Sequence, residues 1–596
     1  MEKKFAVNAY RMFLIWGIFS ALGTAVSTLV DAVLIGNYIG SDGLAVTNIA
    51  TPVFLFFALL SVTTAVGANV LIGQALGKSE TEEANKLFHI QLTAGLVETV
   101  VCMVTGILGG RKLLYAIGAT DTIINLAESY IFIVFLCAGA FIFYYILSYS
   151  VRSDGDPKTA AAASVVLIVL NIVLDILFMG IMNFGIKGAS LALCIATFCG
   201  VLVLLTHFMR KHTLLHLGLA VPEKDILIEF VKNGFGTGSA FLFQAVVISV
   251  FNRLLVKQSD GVSLVAFYSI LYTMSTFAYA VSDDASSALT PVVTIFKGEK
   301  DVDSIMKVVY TALKVVMCAG IAISGLYMVF ASQIIQLFGV TDSGQIQLFA
   351  KGFRIFALSI TLTGINAVMT SFWQSLSRAK PAGIMSVLRN FMMMLILGNI
   401  FIPRFGTNGL GITYLCCEGT GILFLLYVHI RSNTEEMLKK DCSTVLRSYE
   451  KAYVINKDSI AEISSDLEKI SEEWEIDFKQ AFMINFVVEE VILNIIKFAV
   501  DKEKKECSIA IRLVDDQGEY IMRIRDDVAD YNPFESDGDE IDHAVLKMIQ
   551  KKTKYCDYQR KLIFNYLYLT RNCEGTEQLR NIFHGNFINN YSNPRK

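Results

Sequence analysis

Apolar runs of membrane-spanning length recur along roughly the first 430 residues of this 596-residue chain. Each run holds about 20 or more mostly apolar residues, the length that crosses the hydrocarbon core of a bilayer as an α-helix. The runs lie at roughly 12–36, 48–76, 88–108, 126–151, 160–182, 187–209, 232–257, 262–296, 306–332, 350–376, 383–403 and 409–430. Because lipid offers no hydrogen bonds, backbone inside a bilayer must be helical or form a closed barrel. We therefore predict an all-α polytopic membrane protein with twelve transmembrane helices.

Composition supports this class and argues against several others. The chain is 54% hydrophobic and only 18% charged, and its mean hydropathy is +0.53. The net charge of -3 sums an apolar region and a charged tail, and it gives no reason to expect a nucleic-acid partner. The 11 cysteines show neither metal-ligand nor secreted-disulfide spacing, so we interpret them as reduced packing residues. Membrane lipids are the expected surroundings.

The distribution of basic residues predicts the orientation in the membrane. Most of them fall at the amino terminus or in even-numbered connections, whereas odd-numbered connections hold fewer. Cytoplasmic loops carry the excess of Lys and Arg in membrane proteins. Both termini are therefore predicted to be cytoplasmic, with the chain in a bacterial cytoplasmic membrane.

Two glycine-containing motifs occur twice, each pair at nearly the same offset. The motif around Asp42 recurs around Asp260, and Gly185-x-x-Gly188 recurs as Gly406-x-x-Gly409. With six spans on each side, these matches predict two parallel six-helix repeats, an amino-terminal lobe over 1–211 and a carboxy-terminal lobe over 212–431. The alternative is that short glycine turns recur by chance.

One apolar run carries an amide and a carboxylate four residues apart, Asn171 and Asp175. This spacing places both side chains on one helix face. A carboxylate at membrane depth is costly and usually lines a water-filled cavity or an ion path. The alternative is that the pair only bridges helices by hydrogen bonds. The equivalent positions of the second half are Met392 and Ile396, so we expect the chemistry in the first half alone.

The first half contains an ordered series of further motifs: Asp31-Ala-Val-Leu-Ile-Gly36, Gly73-Gln-Ala-Leu-Gly77-Lys78, Arg152-Ser-Asp-Gly155-Asp156-Pro157-Lys158, Asn171-x-x-x-Asp175 and Gly185-x-x-Gly188-Ala189. Over about residues 5–430 the chain resembles the MATE family of multidrug and toxic-compound extrusion transporters. The resemblance implies that Asp31, Asn171 and Asp175 form an amino-lobe site for Na⁺ or a proton. It further implies a secondary transporter rather than an enzyme, a cation-coupled antiporter that exports small organic, often cationic, compounds by alternating access.

The second half departs from the family pattern, which often places acidic residues in the seventh or tenth span. Its candidate cavity residues are polar or lie elsewhere: Gln244, Asn252, Asp284 and Asn366. Asp284 either contributes to a cavity or lies at a kink or helix interface. The cytoplasmic turn 152–158 has two interpretations, a hinge or salt-bridge latch and an ordinary solvated turn.

The composition changes to alternating charge after residue 431, which predicts a linker over 432–450 and a soluble α/β domain over 451–596. Helical periodicity covers 458–472 and 477–499, and strand-like alternation covers 507–513 and 519–525. A tail of this length can bury its own core.

The run from Val488 to Lys497 resembles the N-box of the GHKL ATP-binding fold. In that family Glu490 and Asn494 would serve Mg²⁺ and the phosphates, and Asp526 would contact adenine. Two departures stand out: Val528 replaces a glycine, and the lid region 542–546 has none. Backbone amides that cradle phosphate need positive φ angles, which glycine adopts most easily. We interpret the tail as a degenerate small α/β sandwich that binds ATP and Mg²⁺ weakly at most, without ATPase or kinase activity.

Two other functions remain as alternatives to a transporter with a regulatory tail that binds a cytosolic protein. One is a membrane sensor that signals through the tail. The other is a flippase for lipids or lipid-linked substrates, since related transporter folds perform this reaction. Lost tail glycines weigh against the sensor, and the amino-lobe acids favour ion coupling.

Overall fold

The structure is a computed structural model of the chain. It describes residues 5–39, 41–117, 124–210, 213–258, 261–338, 340–431, 445–496, 507–516, 519–528, 555–562 and 564–570. Two compact units are present. One comprises Ala6–Lys440, and the other comprises Asp441–Lys596 together with Met1–Phe5.

Among the described residues of the larger unit, the regular secondary structure is all helical. Its helices are α1 Phe5–Tyr38, α2 Ser41–Gly77, α3 Thr81–Ile117, α4 Ile124–Leu136, α5 Ala138–Ser153, α6 Pro157–Asp175, α7 Ile186–Leu205, α8 Lys224–Val256, α9 Gly261–Gly298, α10 Val302–Val329, α11 Ala331–Leu337, α12 Ser343–Ala357, α13 Ser359–Ser375, α14 Ala379–Val387 and α15 Met393–Arg431. Two π-helical turns, Ile176–Ile181 and Leu388–Met392, continue α6 and α14.

The number of candidate spans differs from the number of predicted runs. Within the described residues, nine helical segments are long and apolar enough to cross a membrane, and the bent pair α4 and α5 makes a tenth. The predicted span 126–151 is in fact this pair, bent by 48° after Leu136. The run 350–376 likewise consists of α12 and α13, which meet at Leu358. Neither break has a proline, so the sequence did not predict a helix end at either position.

Backbone features of the helical unit recur in its two halves at one constant offset along the chain. Helix α3 begins at Thr81 and α10 at Val302, and the breaks at Cys137 and Leu358 have the same separation. Gly185 and Gly406, also at this separation, both have φ of +57°, with ψ of -141° and -124°. An L-residue with a Cβ adopts such a conformation only with strain, so the Gly-x-x-Gly motifs mark equivalent sharp turns.

The two halves of this unit meet along α2, which packs against α8 and α9. The approach is close, because a Cβ atom placed on Gly67 would lie 1.9 Å from the carbonyl oxygen of Phe230. Gln74 donates from Nε2 to the Ser375 carbonyl at 3.2 Å and to Ser377 Oγ at 2.9 Å. Small residues and these hydrogen bonds therefore join α2 to the second half.

The smaller unit contains an antiparallel sheet under two helices. Its strands are β1 Val445–Val454, β2 Ser508–Asp516, β3 Glu519–Asp526, β4 Tyr555–Lys561 and β5 Phe564–Thr570, and its helices are α16 Lys457–Glu473 and α17 Phe478–Asn494. The strand order is β1-β2-β3-β5-β4, with antiparallel pairing throughout. Apolar residues of both helices, such as Ile463 and Val488, share one core with Ile511 and Leu567 of the sheet. The tail is thus a small mixed α/β unit, as its composition predicted.

Candidate functional site

Helix α1 approaches α6 and the π-helical turn after it at two points, whose order along both helices shows that the helices run in the same direction. Gly23 of α1 approaches Ile168 of α6 so closely that a Cβ atom on the glycine would lie 2.9 Å from Ile168 Cδ1. Further along, Gly180 approaches the Tyr38 hydroxyl in the same way, at 2.8 Å. Asp31 is placed between these two contacts on α1, level with Asp175 at the end of α6.

Asp31, Asn171 and Asp175 come together at this helix contact. Asn171 Nδ2 donates to Asp175 Oδ2 at 2.7 Å, and both residues are buried, with exposed fractions of 3% and 0%. The carboxyl groups of Asp31 and Asp175 contact each other, and the buried Tyr130 of α4 interacts electrostatically with both. Two carboxylates in contact repel unless a proton or a cation lies between them.

The atoms of this cluster fit a cation that prefers oxygen ligands. Within the described residues, the Oδ1 atoms of Asn171 and Asp175 are buried and have no hydrogen-bond donor. Free carboxylate and amide oxygens are typical ligands of hard cations. Among the described residues, no group of three or more His, Cys, Asp or Glu side chains has the arrangement of a metal-binding centre. Asp31, Asn171 and Asp175 are the residues that would hold Na⁺.

The π-helical turn Ile176–Ile181 begins directly after Asp175. Such turns interrupt the regular hydrogen bonding of a helix and occur frequently at functional sites. Gly180, within this turn, is the residue that approaches Tyr38 of α1. The carboxylate therefore lies where the helix changes geometry.

The second half holds a different polar cluster, built around an ion pair. Arg389 Nε lies 3.3 Å from Glu418 Oε1, and both side chains are largely buried, with exposed fractions of 14% and 9%. Asn366 donates from Nδ2 to Glu418 Oε2 at 2.7 Å. Asn366 was a predicted polar residue of the second half, whereas Arg389 was not predicted. A basic residue within the apolar run 383–403 was the available signal.

A cavity of about 300 Å³ adjoins this ion pair in the second half. Its lining includes Gln244, whose Nε2 donates to the Tyr272 hydroxyl at 3.3 Å. Asp283 lines the cavity, whereas Asp284 is buried against Gly17 of α1, because adjacent helical residues point about 100° apart. Of the two alternatives for Asp284, its contact with Gly17 favours the helix interface, and its neighbour Asp283 lines the cavity.

The remaining two cavity candidates also lie elsewhere. Asn366 supports Glu418 from a fully buried position and is not part of the described cavity lining. Asn252 is exposed on α8 and does not contribute to this lining either. Of the four predicted cavity residues, Gln244 alone lines the cavity of about 300 Å³ in the described part of the chain.

The turn between α5 and α6 forms a buried charge cluster rather than an ordinary solvated loop. His207 Nε2 lies 2.7 Å from Asp154 Oδ2, and His207 Nδ1 lies 3.2 Å from Asp156 Oδ2. Arg210 also pairs with Asp156, and Asp156 accepts hydrogen bonds from the amide and the hydroxyl of Thr159 at the start of α6. Of the two interpretations of this turn, the contacts favour a salt-bridge latch.

The two acids of the turn have pKa values shifted in opposite directions. Burial raises the pKa of Asp154 above its ordinary value, although hydrogen bonds from His207 and from the Leu214 amide oppose this shift. Burial also acts to raise the pKa of Asp156, but hydrogen bonds from His207 and Thr159 outweigh it and leave that pKa well below its ordinary value. The hydrogen bonds to Asp156 therefore favour the charged form of this carboxylate.

The predicted nucleotide residues of the tail lie within its core and sheet. Asn494 is buried at the end of α17, and its Nδ2 donates to the Glu490 carbonyl at 2.9 Å. Asp526 Oδ1 accepts from the Val528 amide at 3.1 Å and from Asn565 Nδ2 at 2.8 Å. This oxygen therefore already serves two donors of the chain, where the resemblance would have it contact adenine. The predicted lid, 542–546, lies outside the described residues.

The fold and the buried polar clusters between its helices define a polytopic membrane transporter. A family model described as MatE matches residues 17–177 and 238–426, more than half of the chain. The chain belongs to the MatE family, whose members are secondary transporters rather than enzymes. The matched residues end before the tail unit, so the GHKL resemblance has no support from this match.

Relatives and solved structures agree with this assignment. The chain is 22% identical over 423 residues to the multidrug export protein MepA of Staphylococcus saprophyticus. This alignment covers 70% of this chain and 92% of MepA. It is 26% identical over 362 residues to the probable multidrug resistance protein YoeA of Bacillus subtilis, covering 56% and 75%. An outward-facing multidrug resistance MATE family transporter has the same fold, with a TM-score of 0.68 and 21% identity over 73% of this chain and 97% of that chain.

Proposed function

We propose that this protein is a cation-coupled antiporter that exports small organic compounds across a bacterial cytoplasmic membrane. The observation that carries the proposal is the contact of the half-buried Asp31 of α1 with the buried pair Asn171 and Asp175 of α6. Family membership supports transport, and the export function named for the relative MepA supports its direction. Both termini are proposed to be cytoplasmic, in line with the distribution of basic residues.

The proposed architecture has twelve spans in two parallel halves. Ten spans follow from length and composition in the described residues. Helix α9, which is 38 residues long, would be an eleventh. The 52-residue segment Ala379–Ile430 would supply one more, because Gly406 interrupts it with a non-helical turn. The backbone features that recur at a constant offset support this division into an amino lobe, 1–211, and a carboxy lobe, 212–431.

The coupling step uses the contact between two carboxylates. When neither proton nor Na⁺ is bound, Asp31 and Asp175 repel each other, which favours separation of α1 from α6. Uptake of a proton or Na⁺ removes this repulsion and allows the helices to pack. A ligand that binds two conformations with different affinity shifts the equilibrium between them. Cation binding in the first half would in this way drive the change of access.

Substitution of Asp175 tests this coupling. In proteoliposomes with an imposed Na⁺ or pH gradient, Asp175→Asn should reduce uptake of an organic dye to the level of protein-free vesicles. The variant should fold normally, because Asn is isosteric with Asp, can accept the Asn171 hydrogen bond and removes the repulsion with Asp31. Its thermal unfolding temperature in detergent should equal or exceed that of the wild type.

The matched control is Asp303→Asn, an exposed acid in the first turn of α10. This variant should transport at the wild-type rate. Gradient-driven transport by Asp175→Asn at that same rate would reject the proposed coupling site.

A further inference from the structure

The cavity of the second half carries charges of both signs on facing helices. Arg389 comes from the π-helical turn after α14, Glu418 from α15 and Asp283 from α9, and all three line the cavity of about 300 Å³. This volume is at the lower end of the range for sites of drug-sized ligands. Sites of this size with a few fixed charges are the usual places where small molecules bind.

Arg389 makes its contacts with one edge of the guanidinium group. Among the described residues, Nε supplies both of the contacts that the structure gives this side chain, at 3.3 Å to Glu418 Oε1 and at 3.1 Å to Asn390 Oδ1. The terminal Nη groups belong to a side chain that lines the cavity. A guanidinium group binds carboxylates and other oxyanions through two parallel hydrogen bonds.

Asp283 supplies the opposite charge in the same space. It interacts electrostatically with Arg389. Glu418 is already neutralised by Arg389 and hydrogen-bonded by Asn366, whereas Asp283 faces the cavity with an exposed side chain. An amine or another organic cation can therefore pair with Asp283 while Arg389 binds an anionic group.

Aromatic side chains form much of the remaining wall. Tyr268, Tyr272, Tyr279 and Tyr414 all line the cavity. Tyrosine offers a flat apolar face for ring stacking and for contact with cations. This wall favours a planar aromatic ligand over a purely aliphatic one.

The cavity also leads toward the first half. A second cavity of about 120 Å³ shares Asp283, Arg389 and Asn390 with it and is lined by Val66 of α2 and Tyr149 of α5. The charged pair therefore lies at the junction of two spaces, one of which borders both halves.

We propose that this cavity binds an aromatic zwitterion, whose anionic group pairs with Arg389 and whose cationic group pairs with Asp283. The inference rests on the proposed function, since it names the substrate class of the transporter. It narrows the expectation of small organic, often cationic, substrates, because Arg389 would repel a ligand that carries only positive charge.

Two matched dyes test this ligand class. Rhodamine 110 carries a free carboxylate, and rhodamine 123 is its methyl ester, so the second dye lacks the anionic group and keeps the same ring system. Binding of each dye to the purified full-length protein in detergent is measured by fluorescence polarisation, without any gradient. Rhodamine 110 should bind more tightly, by about tenfold, the value of one charge-assisted interaction.

Variants of the Arg389–Glu418 ion pair distinguish a loss of dye binding caused by the missing charge from one caused by unfolding. The double variant Arg389→Gln with Glu418→Gln leaves no unpaired buried charge, so it should fold. It should lose about tenfold in rhodamine 110 affinity and change rhodamine 123 affinity by less than about twofold. Glu418→Gln alone releases the guanidinium group and should tighten rhodamine 110 binding. Asp283→Asn should weaken both dyes, and the exposed Arg404→Gln is the control that should affect neither.

Equal binding of the two dyes to the wild type, or equal loss of both in the double variant, would overturn the proposal. Phosphatidylethanolamine added to the micelles tests the other source of a zwitterion. If this lipid displaces rhodamine 110 at equimolar amounts, the site binds lipid headgroups and the aromatic ligand is rejected. If a gradient drives uptake of rhodamine 123 but not of rhodamine 110, the aromatic zwitterion is also rejected as the ligand. The proposed function would still stand. Uptake of neither dye would count against the proposed function, and the binding result would still decide the ligand class.

Discussion

Several ionisable residues of this protein lie within its apolar helices, where lipid or protein surrounds them. Asn171 and Asp175 share a helix face, and the observed contact of 2.7 Å follows from their spacing of four residues. Their partner Asp31 belongs to α1, far from α6 along the chain, so no local pattern could place it. The family resemblance supplied that residue, and the packing of α1 on α6 brings it to the pair.

Arg389 is a residue that the sequence could have indicated but whose partner it could not. A basic residue within a predicted span was visible in the sequence, but its partner Glu418 is on another helix. Burial of one charge of such a pair without the other is strongly unfavourable. The sequence alone indicates that burying each charge is unfavourable. It does not show that the two charges pair and so offset this free energy.

At the turn before α6, Asp156 provides a prediction on stability. Asp156→Asn keeps an acceptor for the first turn of the helix but removes the charge that faces His207 and Arg210. We expect it to destabilise the protein by about 1.5–3 kcal/mol at pH 7, the range for hydrogen bonds to charged groups. Thermal unfolding in detergent measures this loss.

The pH dependence of that loss has a definite sign. Because the folded protein lowers the pKa of Asp156, against the effect of burial, the charged form contributes stability above the unfolded pKa of about 4. This contribution is lost as the pH falls through the folded value. The difference in stability between Asp156→Asn and the wild type should therefore be full at pH 7 and shrink below about pH 4.

Asp342→Asn, which alters an exposed helix cap of the same type, should change stability by less than about 0.5 kcal/mol. An equal effect at both caps would contradict a special role for the buried cluster.

At the level of helices, the interruptions determine the shape of the helical unit. Gly185 and Gly406 turn the chain through backbone angles that other residues adopt with strain. Both were recognisable from their glycine motifs. The breaks at Cys137 and Leu358 have no glycine or proline at the break itself, so they depend on packing between helices.

Alanine at Gly406 tests the role of the turn. Gly406→Ala should destabilise the protein by about 1–3 kcal/mol because alanine must adopt a positive φ. Gly419→Ala, in the same helix and with open space around it, should be neutral or stabilising by up to about 1 kcal/mol. Thermal unfolding of the two variants side by side measures the difference. A similar unfolding temperature for both would mean that the turn at Gly406 tolerates a side chain.

At the scale of the whole molecule, two halves of similar backbone carry different chemistry. Two acids and an amide meet in the first half, and an ion pair with a neighbouring acid borders a cavity in the second. Backbone similarity therefore does not extend to the charged side chains. This asymmetry matches a division of labour in which one half binds the coupling cation and the other binds the organic ligand.

The tail provides a prediction at this scale. We propose that it regulates transport through a cytosolic protein partner, so a chain that ends after Lys440 should insert and transport at the basal rate. Lys440 is the boundary of the two compact units, and the smaller unit has its own core. Dye uptake into proteoliposomes, with the amount of inserted protein matched, measures the effect. Loss of transport despite normal insertion would show that the tail is required for the cycle itself.

The sequence by itself determined the membrane class, the approximate helices, the shared face of Asn171 and Asp175, and the glycine turns. These features follow from local hydropathy, helical period and backbone freedom, which act over a few residues. Only the tertiary structure decided that Asp31 meets Asp175, that Arg389 pairs with Glu418, and that Asp283 rather than Asp284 faces the cavity. Such contacts join residues far apart in the chain, and the energy of each charge depends on which partner the fold places beside it.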